Sequence, residues 1–294
     1  MNARLGRVIA LVAALVLTAG VGLAPPARRA QAAANPYQRG PAPTEQSVRA
    51  ATGPFAYSKV QVTDEDADGF GSATIFYPNS TAQGTFGGVA VSPGYYGNAA
   101  SVAWLGRRLA SHGFVAIVIN TDNLYDQPNA RGRQLLAALD HLATRSPAAV
   151  RQRLDARRLG VAGHSMGGGG TLHAAWARPS LRAAVPLAPW HSIRNWSAVG
   201  VPTMIIGGTR DRTATVAEHS ERFHGSLTGA RERAYAEVAD ADHLTFTRDT
   251  PLIGAFVVAW MKRFVDDDTR YERFLCPPPT GPALTEYRDS CPHS

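Results

Sequence analysis

The sequence predicts an α/β fold: a mostly parallel central sheet with helices on both faces and an antiparallel edge contributed by the N-terminal part. Three observations carry this expectation. Short apolar runs rich in β-branched residues recur at 88–92, 114–120, 159–163, 183–189, 203–207 and 234–238. Helix-like segments at 99–111, 131–144, 168–177, 216–227 and 252–265 fall between or after them. Ahead of both, 55–62 and 71–77 alternate apolar and polar residues and are joined by an acidic turn at 63–69.

Each element follows from its pattern. A strand apolar on both faces must be covered on both faces, and the intervening helices supply that cover while returning the chain for the next parallel strand. The alternating pair at 55–77 has one face suited to water, which marks an antiparallel hairpin at the sheet edge. No repeat or coiled coil interrupts the series.

The chain begins with Arg4 and Arg7, continues through an apolar run from Val8 to Leu23, and reaches Pro25, Pro26 and Ala30-Gln31-Ala32. A basic, apolar, small-residue series of this kind is a secretory signal, with cleavage after Ala32 or Ala34; the run is somewhat short for an uncleaved membrane anchor. The expected organisation is a cleaved signal peptide over 1–34, then a single α/β domain over 35–294 that is secreted to the extracellular space. About 260 residues is an ordinary length for one α/β domain with a large core. The leader holds four arginines and no acid, so the formal charge of +7 falls to +3 in the mature chain. A mild excess without clusters excludes a nucleic-acid footprint, so no nucleic acid and no membrane are expected as partners.

Cys276 and Cys291 are the two cysteines. In an oxidising compartment they read as one disulfide stapling the tail to itself. No Cys-x-x-Cys spacing favours a metal instead.

Gly163-His164-Ser165-Met166-Gly167 matches Gly-x-Ser-x-Gly between an apolar strand and a glycine-rich helix start. At such a junction the serine is forced into a strained turn, its flanking glycines avoid collisions, and its hydroxyl enters the cleft at the end of the sheet. A serine hydroxyl is a weak nucleophile, so a histidine must take its proton and an acid must orient that histidine. This fold, the α/β-hydrolase fold, has the chain order Ser, acid, His. Asp211 ends the strand after 203–207, and His243 follows the last strand. Asp240 and Asp242 are the alternative acids, disfavoured because they lie too near His243 in sequence. His164 reads as packing or hydrogen-bonding support, and His173, His219 and His224 as solvated or structural. The oxyanion hole of the fold takes one backbone N–H from the residue after the nucleophile, Met166, and a second from an earlier strand-end loop, assigned to Tyr95.

With these residues in hand, the chain resembles the actinomycete-type bacterial cutinases and polyester hydrolases, including enzymes acting on poly(ethylene terephthalate). The resemblance spans almost the whole mature sequence. It is most specific at Ser92-Pro93-Gly94-Tyr95, Trp104-Leu105-Gly106, Ser111-His112-Gly113-Phe114, the stretch from Gly163 to Gly170, Pro189-Trp190-His191, Trp260 to Asp266, and Asp268-Thr269-Arg270-Tyr271 with the cysteine pair. It implies Ser165, Asp211 and His243 as the triad, Tyr95 and Met166 as oxyanion donors, and Trp190 as an aromatic wall beside the substrate.

The implied activity is hydrolysis of carboxylic esters in cutin, other polyesters and short-to-medium-chain esters through an acyl-enzyme on Ser165. No cofactor is expected, and the protein is expected to act as a monomer. Relatives usually carry Tyr-Thr-Gly where this chain has Tyr95-Tyr96-Gly97, so a second ring, Tyr96, is placed at the substrate. Thr209 and Ala239 stand where some relatives have cation-binding acids, so no metal is assigned. The segment between Trp190 and Val201 is short, leaving little room for a lid. A lipase or general short-chain carboxylesterase with little polymer activity is the alternative, and a binding protein that has lost catalysis is a third reading.

Overall fold

A computed structural model describes residues 35–294; the expected signal peptide at 1–34 lies outside the described residues. Nine strands form one sheet: β1 (Tyr57–Val62), β2 (Ala73–Pro78), β3 (Phe86–Ser92), β4 (Phe114–Ile119), β5 (Leu154–His164), β6 (Ala183–Leu187), β7 (Thr203–Gly208), β8 (Arg233–Val238) and β9 (Leu284–Asp289). Their spatial order is β1-β2-β4-β3-β5-β6-β7-β8-β9. Pairings from β4 through β3, β5, β6 and β7 to β8 are parallel. β1 and β2 add the expected antiparallel edge, with Tyr57 opposite Pro78 and Val62 opposite Ala73.

The helices are α1 (Glu45–Arg49), α2 (Ala103–Ser111), α3 (Pro128–Thr144), α4 (Ala148–Arg151), α5 (Met166–Ala177), α6 (Ser220–Ser226) and α7 (Pro251–Phe264). Pro128 and Pro251 each open their helix at a first-turn position. There the missing N–H costs nothing and the fixed φ is already helical.

The strand period of two divides the core into two layers. Val89 and Val91 of β3, Val118 of β4, Val185 and Leu187 of β6 and Ile206 of β7 pack with Leu105 and Leu109 of α2 and Val257 and Trp260 of α7. Their sequence neighbours Ala90, Ile117, Ala184 and Ile205 face the other way, toward Leu135, Leu139 and Leu142 of α3 and Leu172 of α5. All residues of β3, β4 and β6 are buried, as expected of parallel strands covered on both sides.

The short helices α1 and α4 were not expected, and two further elements depart from expectation. The helix expected over 216–227 begins only at Ser220, and 216–219 form turns. The cause is local: the Asp211 carboxylate takes the N–H groups of Thr213 and Ala214, and Glu221 N–H reaches back five residues to the Val216 carbonyl. That path is too wide for an α-helix, which bonds four residues back. The second is β9, which had no apolar run to announce it. It is a half-exposed edge strand, antiparallel to β8 with Tyr287 opposite Ala236. The bond joining Cys276 to Cys291 encloses it.

Candidate active site

Ser165 sits where β5 meets α5, with φ 57° and ψ −121°. A left-handed φ is uncommon for any side-chain-bearing residue and marks the strained elbow that the motif implied. The flanking glycines are required by close approach. A Cβ at Gly163 would run into the Gly167 carbonyl, and one at Gly167 into the carbonyls of Ser92 and Pro93.

The three residues spaced over 78 positions of sequence converge. His243 Nε2 lies 2.8 Å from Ser165 Oγ, and His243 Nδ1 lies 2.7 Å from Asp211 Oδ2. A carboxylate only accepts, so Nδ1 carries the proton and donates to Asp211; Nε2 is then a lone pair facing the Ser165 hydroxyl, which donates to it. The Asp211 side chain is fully buried. Burial alone would push its pKa up, but the bond from His243 and the N–H groups of Ala214 and Thr213 outweigh it and hold the carboxyl below its ordinary value. Its negative charge is therefore kept where it can orient an imidazole.

The alternative acids are otherwise engaged. Asp242 caps the 3-10 turn His243–Thr247 by accepting from Thr245 N–H, and Asp240 pairs with Arg210 at the surface. His164 is buried, and its Nε2–H donates to the His243 carbonyl at 2.9 Å. Burial, with His243 nearby, lowers its pKa to about 4, so the ring is neutral.

The 92–97 loop lies directly on the elbow: a Cβ at Gly94 would stand 2.8 Å from Ser165 Cβ. Tyr95 N–H donates to no group among the described residues, and Met166 is the first residue of α5, where a backbone N–H has no helical acceptor. Both candidate donors thus flank Ser165. Trp190 N–H donates to the Ser165 carbonyl at 2.9 Å, which places Trp190 beside the elbow. Tyr96 adopts φ 60° and projects into solvent.

Several neighbours were invisible in the sequence. Tyr125 meets both Tyr95 and Tyr96, with ring centroids 5.7 and 5.6 Å apart, so three tyrosines form one exposed cluster. Arg131, fully buried, donates to the carbonyls of Pro93, Leu124 and Asp126 and so holds the two tyrosine loops together. His219 is buried, stacked 6.0 Å from Trp190. No short motif encodes these contacts, because each joins separate loops. A cleft lined by Asp211, Arg212, Thr213, Asp242, His243 and Leu244 opens beside the acid–base pair.

Comparison with known proteins identifies the family. The chain is 52% identical over 292 residues to the bis(hydroxyethyl) terephthalate hydrolase of Streptomyces coelicolor, covering 99% of this chain and 92% of that one. It is 50% identical over 287 residues to a cutinase of Thermobifida fusca, covering 97% and 93%. Cutinase 2 of Thermobifida cellulosilytica is 52% identical over 262 residues, covering 88% and 99%. The family model described as PET hydrolase-like matches residues 31–292. A relay of serine, histidine and aspartate on this sheet, with that match along nearly the whole chain, makes it a member of the PET hydrolase-like family.

Proposed function

We propose that the protein is a secreted esterase that hydrolyses carboxylic ester bonds of cutin-like and synthetic polyesters, and of smaller esters, by acyl transfer through Ser165. The observation that carries this reading is the hydrogen-bonded relay from Ser165 through His243 to Asp211. Its relatives' names, cutinase and bis(hydroxyethyl) terephthalate hydrolase, supply the substrate class. The bond between Cys276 and Cys291 suits an oxidising, extracellular setting.

In the first stage the Ser165 hydroxyl gives its proton to His243 Nε2 while Oγ attacks the ester carbonyl carbon. The oxyanion accepts from Met166 and Tyr95 N–H, at the positive end of α5. Collapse expels the alcohol, which takes the proton from His243 and leaves an acyl-enzyme. Water then gives a proton to His243, attacks the acyl carbon, and releases the acid as the proton returns to Ser165. Asp211 stabilises the imidazolium in both stages without taking its proton.

The connection from β6 to β7 is short for a lid, and Tyr95 and Tyr96 are exposed at the rim, which suits an open groove for a chain-like substrate. Among the described residues no helix is long and apolar enough to cross a membrane. The test is release of soluble acids from an aliphatic polyester film, run beside a Ser165→Ala control and a short p-nitrophenyl ester. Film release that vanishes in the control supports the reading; short-ester turnover without film release moves the assignment to a general carboxylesterase.

A further inference from the structure

Arg131 is fully buried on α3, yet among the described residues its guanidinium meets only carbonyl oxygens and no carboxylate. Three other buried arginines each face acids: Arg108 meets Asp249, Arg158 meets Asp155 and Asp266, and Arg263 meets Asp267 and Glu272. Asp126, whose backbone carbonyl Arg131 holds, turns its carboxylate instead to the Asn123 N–H and the Gln134 amide. A buried cation without a counter-ion in contact is costly, so its retention points to a role beyond cohesion.

The guanidinium converges on the frame around Tyr95. Nη1 donates to the Pro93 carbonyl at 3.1 Å, and Nη2 donates to the Leu124 carbonyl at 2.9 Å. The same Leu124 carbonyl accepts from Tyr96 N–H at 2.9 Å. Residues on both sides of Tyr95 are thus tied to one guanidinium, Pro93 directly and Tyr96 through a shared acceptor, while Tyr95 N–H stays without an acceptor among the described residues. The first turns of α5 press on the same group. A Cβ at Gly167 would run into the Pro93 carbonyl, and one at Gly170 would stand 2.9 Å from Arg131 Cβ. Arg131 therefore packs against both elements that carry the candidate oxyanion donors, the Tyr95 loop and the start of α5 at Met166.

We infer that Arg131 is a positioning residue of the oxyanion hole: it sets the separation of the Tyr95 and Met166 N–H groups, and its charge, offset by no carboxylate in contact, favours the anion that forms there. A donor pair stabilises an oxyanion only when both N–H groups are already held at hydrogen-bond distance from it, and a buried charge acts more strongly than one in water. The inference rests on acyl transfer through Ser165. It adds that Arg131 serves the transition state more than substrate binding.

The experiment compares two ketones as inhibitors of short p-nitrophenyl ester hydrolysis. With hexyl trifluoromethyl ketone, Ser165 Oγ bonds to the carbonyl carbon, the carbonyl π pair moves onto oxygen to make the oxyanion, and the hydroxyl proton passes to His243 Nε2. Hexyl methyl ketone binds without addition and represents the ground state. In Arg131→Met and Arg131→Gln, kcat is expected to fall about a hundredfold, and the inhibition constant of the trifluoromethyl ketone to rise by about the same factor. The inhibition constant of the methyl ketone is expected to rise no more than about threefold. Arg131→Lys keeps the charge but not the planar fork, so both large effects should shrink to about tenfold; should the neutral variants fail to fold, this variant carries the same comparison. Unchanged kcat in a folded variant, or equal losses of affinity for the two ketones, overturns the inference. A wild type that hydrolyses the ester but forms no adduct with the trifluoromethyl ketone at Ser165 would instead refute the acyl-transfer reading on which the inference rests.

Discussion

His164 Nε2–H donates to the backbone carbonyl of His243, so the residue before the candidate nucleophile fixes the backbone of the candidate base. The two rings are also in contact, with centroids 4.7 Å apart. Replacing His164 with Phe keeps the ring volume but leaves a carbonyl without its partner, at about 1–3 kcal/mol. The expected result is a lower melting temperature and kcat reduced about tenfold with KM little changed, for an imidazole free to turn away from Ser165. Unchanged kcat in a folded variant would show that the bond does not position the base.

The relay itself makes a sharper prediction. Ser165→Ala should abolish ester turnover to within the oxyanion-hole residue, and Asp211→Asn should lower kcat by about 10³–10⁴ because an amide can hold the wrong imidazole tautomer. A fluorophosphonate probe should label the wild-type protein once, on Ser165, and not the alanine variant. Labelling elsewhere would reassign the nucleophile.

Arg131 is expected to matter although it is fully buried. Burial lowers its pKa to about 10, still well above neutrality, so the charge persists and is spent on three carbonyls of two loops. Arg131→Met removes those donors and should cost about 3 kcal/mol of stability. It should also raise KM for polymer and soluble esters alike, as the Tyr95 and Tyr125 loops separate. Rescue by Arg131→Lys should be partial, since an ammonium cannot match the planar fork.

Stability should fall in mild acid. His164 and His224 are both held neutral, their pKa values lowered from near 6.5 to about 4 chiefly by burial, with His243 acting on the first and Arg233 and Arg288 on the second. Between those values the unfolded chain binds protons that the folded chain refuses. Stability is therefore complete above about 6.5 and is lost as pH falls toward 4. Melting curves should be flat above pH 7 and drop by roughly 5–10 °C between pH 6.5 and 4.5. Neither ring nitrogen of His224 has a partner among the described residues, so His224→Phe should flatten part of that drop. A drop of the same size in the variant would trace the acid sensitivity to other groups.

The Cys276–Cys291 bond joins residues 15 apart in sequence and closes a loop around β9. Its removal by Cys276→Ser with Cys291→Ser should cost about 3 kcal/mol, most of it from the unfolded chain regaining freedom. Thermal melts of the double variant, and of the wild type with and without reductant, measure this directly. Short-ester kcat should change little, because β9 is at the far edge of the sheet, beyond β8.

The alternation of apolar strands and helices determined the layered sheet by itself, because a strand buried on both faces admits few other arrangements. The elbow motif and the order Ser165, Asp211, His243 were equally legible, since a sharp turn needs glycines at fixed offsets and strand ends supply the partners. Only the tertiary structure decided what those residues rest on. Arg131 beneath the tyrosine loops, Tyr125 against Tyr95 and Tyr96, and His164 on the His243 carbonyl all depend on segments far apart in sequence. The same holds for β9, whose half-exposed residues become a strand only because β8 offers an open edge. Local pattern records which face of an element seeks burial; which loops meet above the sheet is set by packing among elements, and no window of sequence contains that information.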